Sequence, residues 1–409
     1  MTGQAITFRE MLAPVSAEEF FERHHDSRPL HVPGGGGKFA QVFSWGALNT
    51  LLNMPNVWTS RTVKIARDGD TLAAEDFCRR VYGREGQAAL EADPAKVRRH
   101  LRDGATIVLD FVECLSPAVA SVSAALQVWF GGPTTCNLYC SWREQQGFAS
   151  HFDTTDVIVL QITGSKRWRV YDGRFEQPVE AAGFETTGYP QEFHERRKGA
   201  VLMTPELTPG DLLYLPRGQY HDALASSEAS LHLTFGVTQA TGHDVLMQLA
   251  DAFVDDPLFR KPFPPFDDEE AHEAHVRALA DRMRDIIADP ASSDGLRLFQ
   301  HDRAFLFCYP QYDLPNRNDP VIFRVQSLRA RLVRRGAGHQ LQTQGAKAVL
   351  GEADAKLADW VLSRDFFSAD ELAETAGRHG LADASAAIET FRNAGLIAPI
   401  CRAVGETSA

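Results

Sequence analysis

A series of short β-branched and aromatic segments between residues 106 and 237 constrains the fold of this chain more than any other feature. Turn residues such as Pro209 and Gly210 separate neighbouring segments. Several short strands at such spacing predict an antiparallel sandwich or barrel of the jelly-roll kind. The predicted strands are 106–109, 135–140, 156–162, 167–171, 211–215 and 230–235.

Three side chains beside these strands have the chemistry of a metal site. His151 and Asp153 precede a strongly apolar strand, and residues i and i+2 of an extended chain point to the same face. His221 follows a turn that contains Pro216 and Gly218. Two imidazoles and one carboxylate form the facial triad of non-haem iron(II) oxygenases, which leaves coordination positions open. A His-x-Asp pair alone also occurs on ordinary loops, but the third ligand favours a catalytic iron site at His151, Asp153 and His221.

The wider pattern resembles the JmjC ribosomal oxygenases. It comprises Asn137-x-Tyr139, then His151-Phe-Asp153, then residues 160–171 (Leu-Gln-Ile-Thr-Gly-Ser-Lys-Arg-Trp-Arg-Val-Tyr). The later motif Gly210-x5-Pro-x-Gly-x2-His221 matches the second metal-binding signature of the cupins. The resemblance implies a mainly β catalytic core, a double-stranded β-helix or cupin-like jelly roll of the JmjC type.

The resemblance also implies a three-part order, because a helical dimerisation domain and a winged-helix domain follow the catalytic domain in this family. We accordingly expect a JmjC catalytic domain with an N-terminal extension over residues 1–240, an α-helical dimerisation domain over 241–345 and a winged-helix-like α+β module over 346–409. An amphipathic helix predicted over 269–288 agrees with this order. A capping box and a helix over 384–393, followed by an apolar strand, predict a helix–turn–helix–strand unit at the end.

The resemblance further implies an oxygenase that depends on Fe(II) and 2-oxoglutarate and consumes O2. Lys166 takes the place of the basic residue that binds the distal carboxylate of 2-oxoglutarate, and Asn137 and Tyr139 take the places of residues that line the cosubstrate pocket. An ammonium group can form a charge-assisted hydrogen bond with such a carboxylate. Only one of Lys166 and Arg167 can point inward on a strand, and the family pattern favours Lys166. Thr234 is expected to face the same pocket.

Other residues near the predicted site allow more than one interpretation. His232 lies on the strand of Thr234 and is either a wall of the pocket or a core histidine. His194 falls within the polar segment 175–201, which predicts an insertion loop, so we expect an exposed side chain. Ribosomal oxygenases often carry a serine near the position of Gly236, and this chain departs from that pattern.

The charge of the chain bears on its partners. A formal net charge of −12 argues against nucleic acid, since phosphate binding requires a basic face. From Gly351 onward, ten acidic residues oppose five basic ones, so we expect no direct DNA binding by the last module. An acidic surface favours a basic protein or peptide as the substrate, and the resemblance points to a ribosomal protein.

Cysteine usage and hydropathy favour a cytoplasmic protein without a membrane segment. Six cysteines are scattered along the chain and only Cys136 and Cys140 are close together, which favours reduced buried thiols over a zinc site or a disulfide framework. The first residues show no signal-peptide pattern, and there is no run of about 20 apolar residues. The resemblance implies a homodimer.

Several functions remain open on the sequence. The first is a protein hydroxylase acting on a side chain of a basic partner, and the second is a peptide or natural-product hydroxylase with the same core. The third is a non-catalytic cupin-like binding module, which an intact triad with Lys166 disfavours. Histone demethylation is disfavoured by the lack of a zinc finger or basic reader region. Residues 141–148 precede the triad, where a substrate can approach, but they do not identify the amino acid that is modified.

Overall fold

The computed structural model describes residues 6–54, 57–67, 70–142, 148–180, 188–225, 229–304, 322–325, 330–335, 338–343, 346–364, 366–381 and 384–400. The chain forms two compact units, Met1–Gln239 and Ala240–Ala409. Within those described ranges, no helix is long and apolar enough to cross a membrane.

The first unit is built mainly from strands, with helices on one side of the larger sheet. Its helices are α1 Phe8–Leu12, α2 Ala17–Arg23, α3 Trp45–Leu52, α4 Ala74–Phe77, α5 Pro94–Arg102, α6 Pro117–Phe130 and α7 Gln191–Arg197. Its strands are β1 Leu30–Val32, β2 Val63–Arg67, β3 Asp70–Thr71, β4 Cys78–Tyr82, β5 Ala88–Ala92, β6 Thr106–Leu109, β7 Thr134–Trp142, β8 Asp156–Thr163, β9 Lys166–Arg174, β10 Val201–Met203, β11 Glu206–Leu207, β12 Leu212–Leu215, β13 Gln219–Ala225 and β14 Ala229–Val237.

Two antiparallel sheets form the core of this unit. The main sheet has the strand order β1-β12-β8-β14-β7-β6-β2-β3, and in the second sheet β9 pairs with β10, β11 and β13. β8 is buried at seven of its eight positions because both of its faces are covered. Ile158 and Leu160 belong to the core that includes the helices, whereas Val157 and Val159 pack with Trp168 of the second sheet. This architecture confirms the predicted jelly-roll core.

All six strands predicted between residues 106 and 237 are present, with ends that shift by at most three residues. The strand expected after the turn at Gly218 is β13, whereas α6 was not predicted. The composition of α6 is mixed: its four alanines favour a helix, whereas its three valines and two serines are weaker helix formers. Its ends do carry helix signals: the Ser116 hydroxyl accepts the Val119 N–H, Pro117 is the first helical residue, and Gly131 adopts a left-handed conformation with φ 66°.

The prediction of a plain insertion loop over residues 175–201 is wrong for the part that the structure describes. This segment contains α7 and ends at β10, which pairs with β9. No residue of α7 is fully buried, which agrees with the polar sequence of the helix. Phe193 of this helix nevertheless packs: its ring stacks on that of Tyr189, which precedes the helix, with centroids 4.0 Å apart.

The second unit begins with helices and ends in a mixed α and β region. Its helices are α8 Gly242–Asp255, α9 Glu269–Ala288, α10 Pro290–Ala304, α11 Glu352–Leu362, α12 Ala369–Arg378 and α13 Ser385–Asn393. Its strands are β15 Ile322–Val325, β16 Ala330–Arg335, β17 Gly338–Thr343, β18 Lys347–Leu350, β19 Phe366–Ser368 and β20 Ile397–Ile400. They form two three-stranded sheets, β19-β15-β20 and β16-β17-β18.

Local capping explains where the predicted helices of this unit begin. The Asp268 side chain accepts the Ala271 N–H at the start of α9. A complete capping box opens α12: the Glu371 N–H donates to the Ser368 hydroxyl at 3.2 Å, and the Ser368 N–H donates to the Glu371 carboxylate at 2.7 Å. The assignment of residues 241–345 and 346–409 to dimerisation and winged-helix domains stays a prediction.

The cysteines in the described part of the chain are free thiols. Cys78, Cys136 and Cys140 are buried, which agrees with the expected structural role, whereas Cys114 is exposed. Burial raises the pKa of Cys140 to about 12, so this thiol stays protonated. The remaining two cysteines, Cys308 and Cys401, lie outside the described residues.

Candidate metal centre

A pairing of two extended segments brings the three predicted ligands together. His151 lies between β7 and β8 and His221 lies in β13, and the two residues form an isolated antiparallel bridge. The His151 N–H donates to the His221 carbonyl at 3.1 Å, and the His221 N–H donates to the His151 carbonyl at 2.9 Å. Asp153 is fixed by a 2.8 Å hydrogen bond from the Gly218 N–H to its carbonyl. The backbone therefore sets the spacing of all three side chains.

The potential ligand atoms of this triad lie within 4.8 Å of one another. The Nε2 of His221 is 3.5 Å from a carboxylate oxygen of Asp153, and the two imidazole centroids are 4.6 Å apart. The Nδ1 of His151 is 2.8 Å from the Ala149 carbonyl and that of His221 is 3.0 Å from the Gln219 carbonyl. Each Nδ1 can therefore carry the proton, which leaves both Nε2 lone pairs free for a metal ion.

The charge state of His221 suits a metal ligand. Burial, and secondarily the neighbouring His151, lowers the pKa of His221 to about 4. The ring is therefore neutral at neutral pH, which is the form that binds metals. Asp153 is less enclosed, with its side chain 40% exposed, so it lies at the open side of the site.

The turn before β13 requires glycine at Gly218. Its φ of +84° lies in the left-handed region that side chains disfavour. A Cβ at this position would also lie 2.1 Å from the Phe175 carbonyl oxygen. Because the Gly218 N–H also binds Asp153, this residue links the shape of the turn to the position of one ligand.

A buried carboxylate on the outer face of the bridge ties the two histidine segments together. The side chain of Asp222 is fully buried and accepts hydrogen bonds from the Ser150 hydroxyl, the Tyr171 hydroxyl and the Arg169 Nε, each at 2.7 Å. Burial alone would raise the pKa of Asp222, but these bonds hold the pKa below its ordinary value. Ser150 directly precedes His151, and Asp222 directly follows the second histidine ligand. This hydrogen-bond network was not predicted. Its one local sign in the sequence is an acidic residue next to a candidate ligand.

The triad opens into a cavity of about 170 Å³ whose wall carries the other predicted site residues. Residues that line it include Asn137, Tyr139, His151, Asp153, Lys166, Trp168, His221, His232, Thr234 and Gly236. Lys166 is only 5% exposed, whereas its neighbour Arg167 points outward to Glu206. Burial lowers the pKa of Lys166 to about 8. No carboxylate pairs with this ammonium among the described residues.

The cavity wall also presents polar atoms that lack hydrogen-bond partners in the described part of the chain. They are the hydroxyl of Thr234, the Nδ1 of His232 and the indole Nε1 of Trp168. Buried polar groups normally have a partner, so such a cluster indicates room for a polar ligand. Trp168 was not among the predicted site residues, because nothing in its local sequence separates a pocket wall from an ordinary core position.

His232 is a wall of this cavity. Its ring is 2% exposed and stacks on Tyr139, with centroids 4.8 Å apart and planes within 2°. Burial, then the charge of Lys166, lowers the pKa of His232 well below its ordinary value, so the ring is neutral. Asn137 and Tyr139 lie on the adjacent strand, opposite Thr234 and His232 respectively. The pair of neighbouring strands β7 and β14 therefore forms one continuous side of the cavity.

Gly236 lies at the edge of the same cavity. A Cβ at this position would approach the hydroxyl oxygen of Thr155 to 3.1 Å, which is tighter than most contacts. The lack of a side chain here keeps that corner of the cavity open. The serine that ribosomal oxygenases often carry near this position would therefore require a small shift of Thr155.

His194 is not the exposed residue predicted from its polar surroundings. The first turns of α7 bring its ring against Phe152 and Tyr220, with centroid distances of 5.7 and 5.8 Å. Burial lowers its pKa, so the side chain is partly enclosed and tends to be neutral. The prediction failed because an aromatic cluster from distant segments covers the helix. Residues 143–147 of the predicted substrate approach lie outside the described residues, but Phe148 lines the cavity beside His151.

Comparisons with known sequences match residues 118–245 to the JmjC domain. The bifunctional lysine-specific demethylase and histidyl-hydroxylase NO66 of Drosophila persimilis is 28% identical over 244 residues, which are 59% of this chain and 33% of the relative. Ribosomal oxygenase 1 of Gallus gallus is 31% identical over 229 residues, 56% of this chain and 36% of the relative. The matched region thus spans about a third of the length of these curated relatives.

Solved structures of similar fold cover nearly the whole chain. Escherichia coli ribosomal oxygenase YcfD has a TM-score of 0.57 at 16% identity, over 94% of this chain and 98% of that one. The complex of YcfD with cobalt and 2-oxoglutarate has a TM-score of 0.58 over the same shares, also at 16% identity. At this identity the likeness concerns the fold.

Proposed function

We propose that this chain, which carries a JmjC domain and resembles the ribosomal oxygenases, is an Fe(II)- and 2-oxoglutarate-dependent oxygenase that hydroxylates a protein side chain. One observation carries the proposal. The triad of His151, Asp153 and His221 opens into a cavity that contains the buried ammonium of Lys166, which has no carboxylate partner among the described residues. A buried cation without a counter-ion is unfavourable unless a ligand supplies the negative charge.

The donor set fits iron and this cosubstrate. Two imidazoles and a carboxylate suit Fe(II), and His151, Asp153 and His221 would hold it. Lys166 and the hydroxyl of Thr234 would bind the distal carboxylate of a dicarboxylic keto acid, because the ammonium is buried and the hydroxyl has no hydrogen-bond partner in the described residues. YcfD, whose fold is similar, has been solved with cobalt and 2-oxoglutarate. Bound iron with 2-oxoglutarate supplies the activation of O2 and the transfer of one oxygen atom.

The remaining residues of the cavity would orient the cosubstrate and exclude water. Tyr139 and His232 stack to form a flat wall beside Lys166, and the Lys166 Nζ lies 5.8 Å from the centre of the Tyr139 ring. Asn137 lines the same side. The neutral His232 avoids a second positive charge near the ammonium.

We also propose that the substrate is a basic protein, with a ribosomal protein as the first candidate. The net charge of −12 favours a basic partner, and similar proteins are named ribosomal oxygenases. Dimerisation through the helical region 241–345 belongs to the same proposal. A cytoplasmic location stays a prediction from the sequence.

Mass spectrometry of possible substrates tests the proposal. The full chain is incubated with Fe(II), ascorbate, 2-oxoglutarate and ribosomal proteins from the same organism, and succinate is measured in parallel. We expect a product heavier by one oxygen atom and no turnover by His151→Ala. His194→Ala is the matched control, since this histidine lies outside the triad and should leave turnover measurable.

Each other outcome selects a different function. Succinate production without modified ribosomal proteins would favour a peptide or natural-product hydroxylase. Loss of the mass of a methylene group from a methylated peptide would favour the demethylase activity named for NO66. Equal turnover by the wild type and His151→Ala would contradict the enzyme proposal, and the non-catalytic binding module would then account for the fold.

A further inference from the structure

The first unit contains a second, larger cavity on the opposite face of the main sheet. It is a cleft of about 540 Å³ between α3, α5 and the strands β2 and β6. This volume falls within the range of about 300–1,000 Å³ that is typical of small-molecule sites. The two cavities meet only at β6, where Thr106 lines the metal-side cavity and the next residue, Ile107, lines the cleft. No lining residue is shared, so the cleft is a separate site.

The walls of the cleft are mainly apolar, and the amides of Asn49 and Asn53 are the polar side chains that line it besides two arginines. The side chains of Leu52, Val63, Val97, Leu101 and Ile107 come from four different elements and converge on it. Trp58 closes one side, and its indole N–H is already satisfied by the Leu51 carbonyl at 2.6 Å. The ring therefore offers only its apolar surface. Such walls suit a hydrocarbon body and provide few hydrogen bonds for a sugar or a base.

Two cations lie at the rim of the cleft. Arg98 and Arg102 are one helical turn apart on α5, so they share a face beside Val97 and Leu101. Both guanidinium groups are exposed and form no ion pair or side-chain hydrogen bond within the described ranges. The helix carries four arginine or lysine residues and no acidic one, in a chain whose net charge is −12. This local charge is complementary to an anion.

We propose that this cleft binds a free medium-chain carboxylate, with the hydrocarbon chain between α3 and α5 and the carboxylate at Arg98 and Arg102. An apolar interior with cations on one rim matches a molecule with one anionic end. A nucleotide would place several polar groups against apolar walls, and a neutral hydrocarbon would leave the arginines unused. The site does not depend on the proposed oxygenase function.

Calorimetric titration of the full chain with octanoate tests the proposal. We expect saturable binding with a Kd below about 1 mM, and at least about tenfold weaker binding of octan-1-ol, which has the same chain without the charge. Arg98→Glu should weaken octanoate binding about tenfold, whereas Arg99→Glu should change it less than about twofold. The two variants alter the net charge equally one position apart on α5, and only Arg98 lines the cleft.

A second variant separates the cleft from the metal-side cavity. Leu101→Trp fills the apolar space and should abolish binding of both octanoate and octan-1-ol, and its melting temperature reports whether it folds. Lys166→Met should leave octanoate binding unchanged, because Lys166 lines the other cavity. Three results would overturn the proposal: no saturable binding, equal weakening by Arg98→Glu and Arg99→Glu, or binding of anionic phosphatidylglycerol vesicles without binding of free octanoate.

Discussion

At the level of single residues, the buried ammonium of Lys166 makes cosubstrate binding depend on pH. Burial lowers its pKa from 10.5 to about 8, so the free site loses its charge as the pH rises through 8. A bound dicarboxylate favours the ammonium form, so binding takes up a proton in this range. We expect the affinity for 2-oxoglutarate to be constant below pH 7 and to fall by about tenfold per unit well above pH 8.

Titration calorimetry without O2, with Co(II) in place of iron, measures this affinity between pH 6.5 and 9.5. Lys166→Arg keeps its charge throughout, so its pH profile should be flat. Lys166→Met should bind 2-oxoglutarate weakly at every pH. A wild-type profile as flat as that of Lys166→Arg would show that the ammonium does not bind the cosubstrate.

The same residue should reduce the stability of the unliganded protein. The unfolded chain holds the Lys166 proton more tightly than the folded one, because the pKa is about 8 when folded and 10.5 ordinarily. The loss of stability that comes from burying the charged Lys166 is fully present below pH 8 and disappears as the pH approaches 10.5. We expect Lys166→Met to raise the free energy of unfolding at pH 7, by on the order of 3 kcal/mol at most. The increase in the free energy of unfolding caused by Lys166→Met should be smaller at pH 10.

Urea unfolding followed by tryptophan fluorescence measures this difference, since five of the six tryptophans lie before residue 240. Arg167→Met is the control, because it removes a neighbouring cation that is 57% exposed. Its effect should be small at both pH values. A Lys166→Met protein that is less stable than the wild type at pH 7 would mean that packing by the lysine stem outweighs the cost of its charge.

At the level of elements, the turn into β13 should not tolerate a side chain. Gly218→Ala combines an unfavourable φ of +84° with a Cβ 2.1 Å from the Phe175 carbonyl oxygen. Gly86→Ala is a matched control, since Gly86 has a φ of +81° and open space around it. We expect Gly86→Ala to cost about 1 kcal/mol and Gly218→Ala at least twice as much. Thermal unfolding and Co(II) titration of both variants check this, and equal losses would exclude the steric cause.

The hydrogen-bonded bridge between the His151 segment and β13 should affect metal affinity, because Asp222 on its outer face holds the two histidine segments in place. In Asp222→Asn, an NH2 group takes the place of one carboxylate oxygen. This group cannot accept the hydrogen bonds that the oxygen receives from Ser150, Tyr171 or Arg169. We expect Co(II) to bind about 10- to 100-fold more weakly, which is typical when a residue that supports metal ligands is changed. The visible absorption spectrum of bound Co(II) should shift, because ligand positions change.

Ser150→Ala should produce a smaller change in the same direction, since it removes one of the three donors. Ser121→Ala is the control, because it removes a serine hydroxyl bonded to a helix carbonyl in α6. A merely structural role for Asp222 would lower the melting temperature and leave the Co(II) spectrum and affinity of the folded protein unchanged.

The helices and strands that could be predicted from the sequence are those whose apolar residues follow one periodic pattern. β8 could be predicted because both of its faces are buried, and α9 because its apolar stripe and its cap agree. The triad could be predicted because two ligands are two residues apart in an extended segment and the third follows a recognisable turn. Asp222, Trp168 and the packed position of His194 could not be predicted, because their roles depend on contacts with residues far away in the chain.

At the level of the whole molecule, metal and cosubstrate should stabilise one unit and not the other. All residues of the proposed site lie in the first unit, Met1–Gln239. A ligand that binds only the folded state raises its stability by about 2.7 kcal/mol at a hundred times its Kd. Co(II) with 2-oxoglutarate should therefore slow amide hydrogen exchange in β7, β8, β13 and β14. Exchange in the second unit, Ala240–Ala409, should stay the same.

Hydrogen-exchange mass spectrometry of the full chain, with and without both ligands, tests this distribution. Asp153→Ala should lose the protection, because it removes a ligand whose side chain is 40% exposed and whose backbone bond to Gly218 can persist. Asp172→Ala is the matched control: it removes an exposed carboxylate of the same unit that accepts the Ala200 N–H, outside the cavity. Equal protection in the wild type and Asp153→Ala would place the bound metal elsewhere. Protection that extends through α11, α12 and α13 would show that the two units respond to the ligands as one.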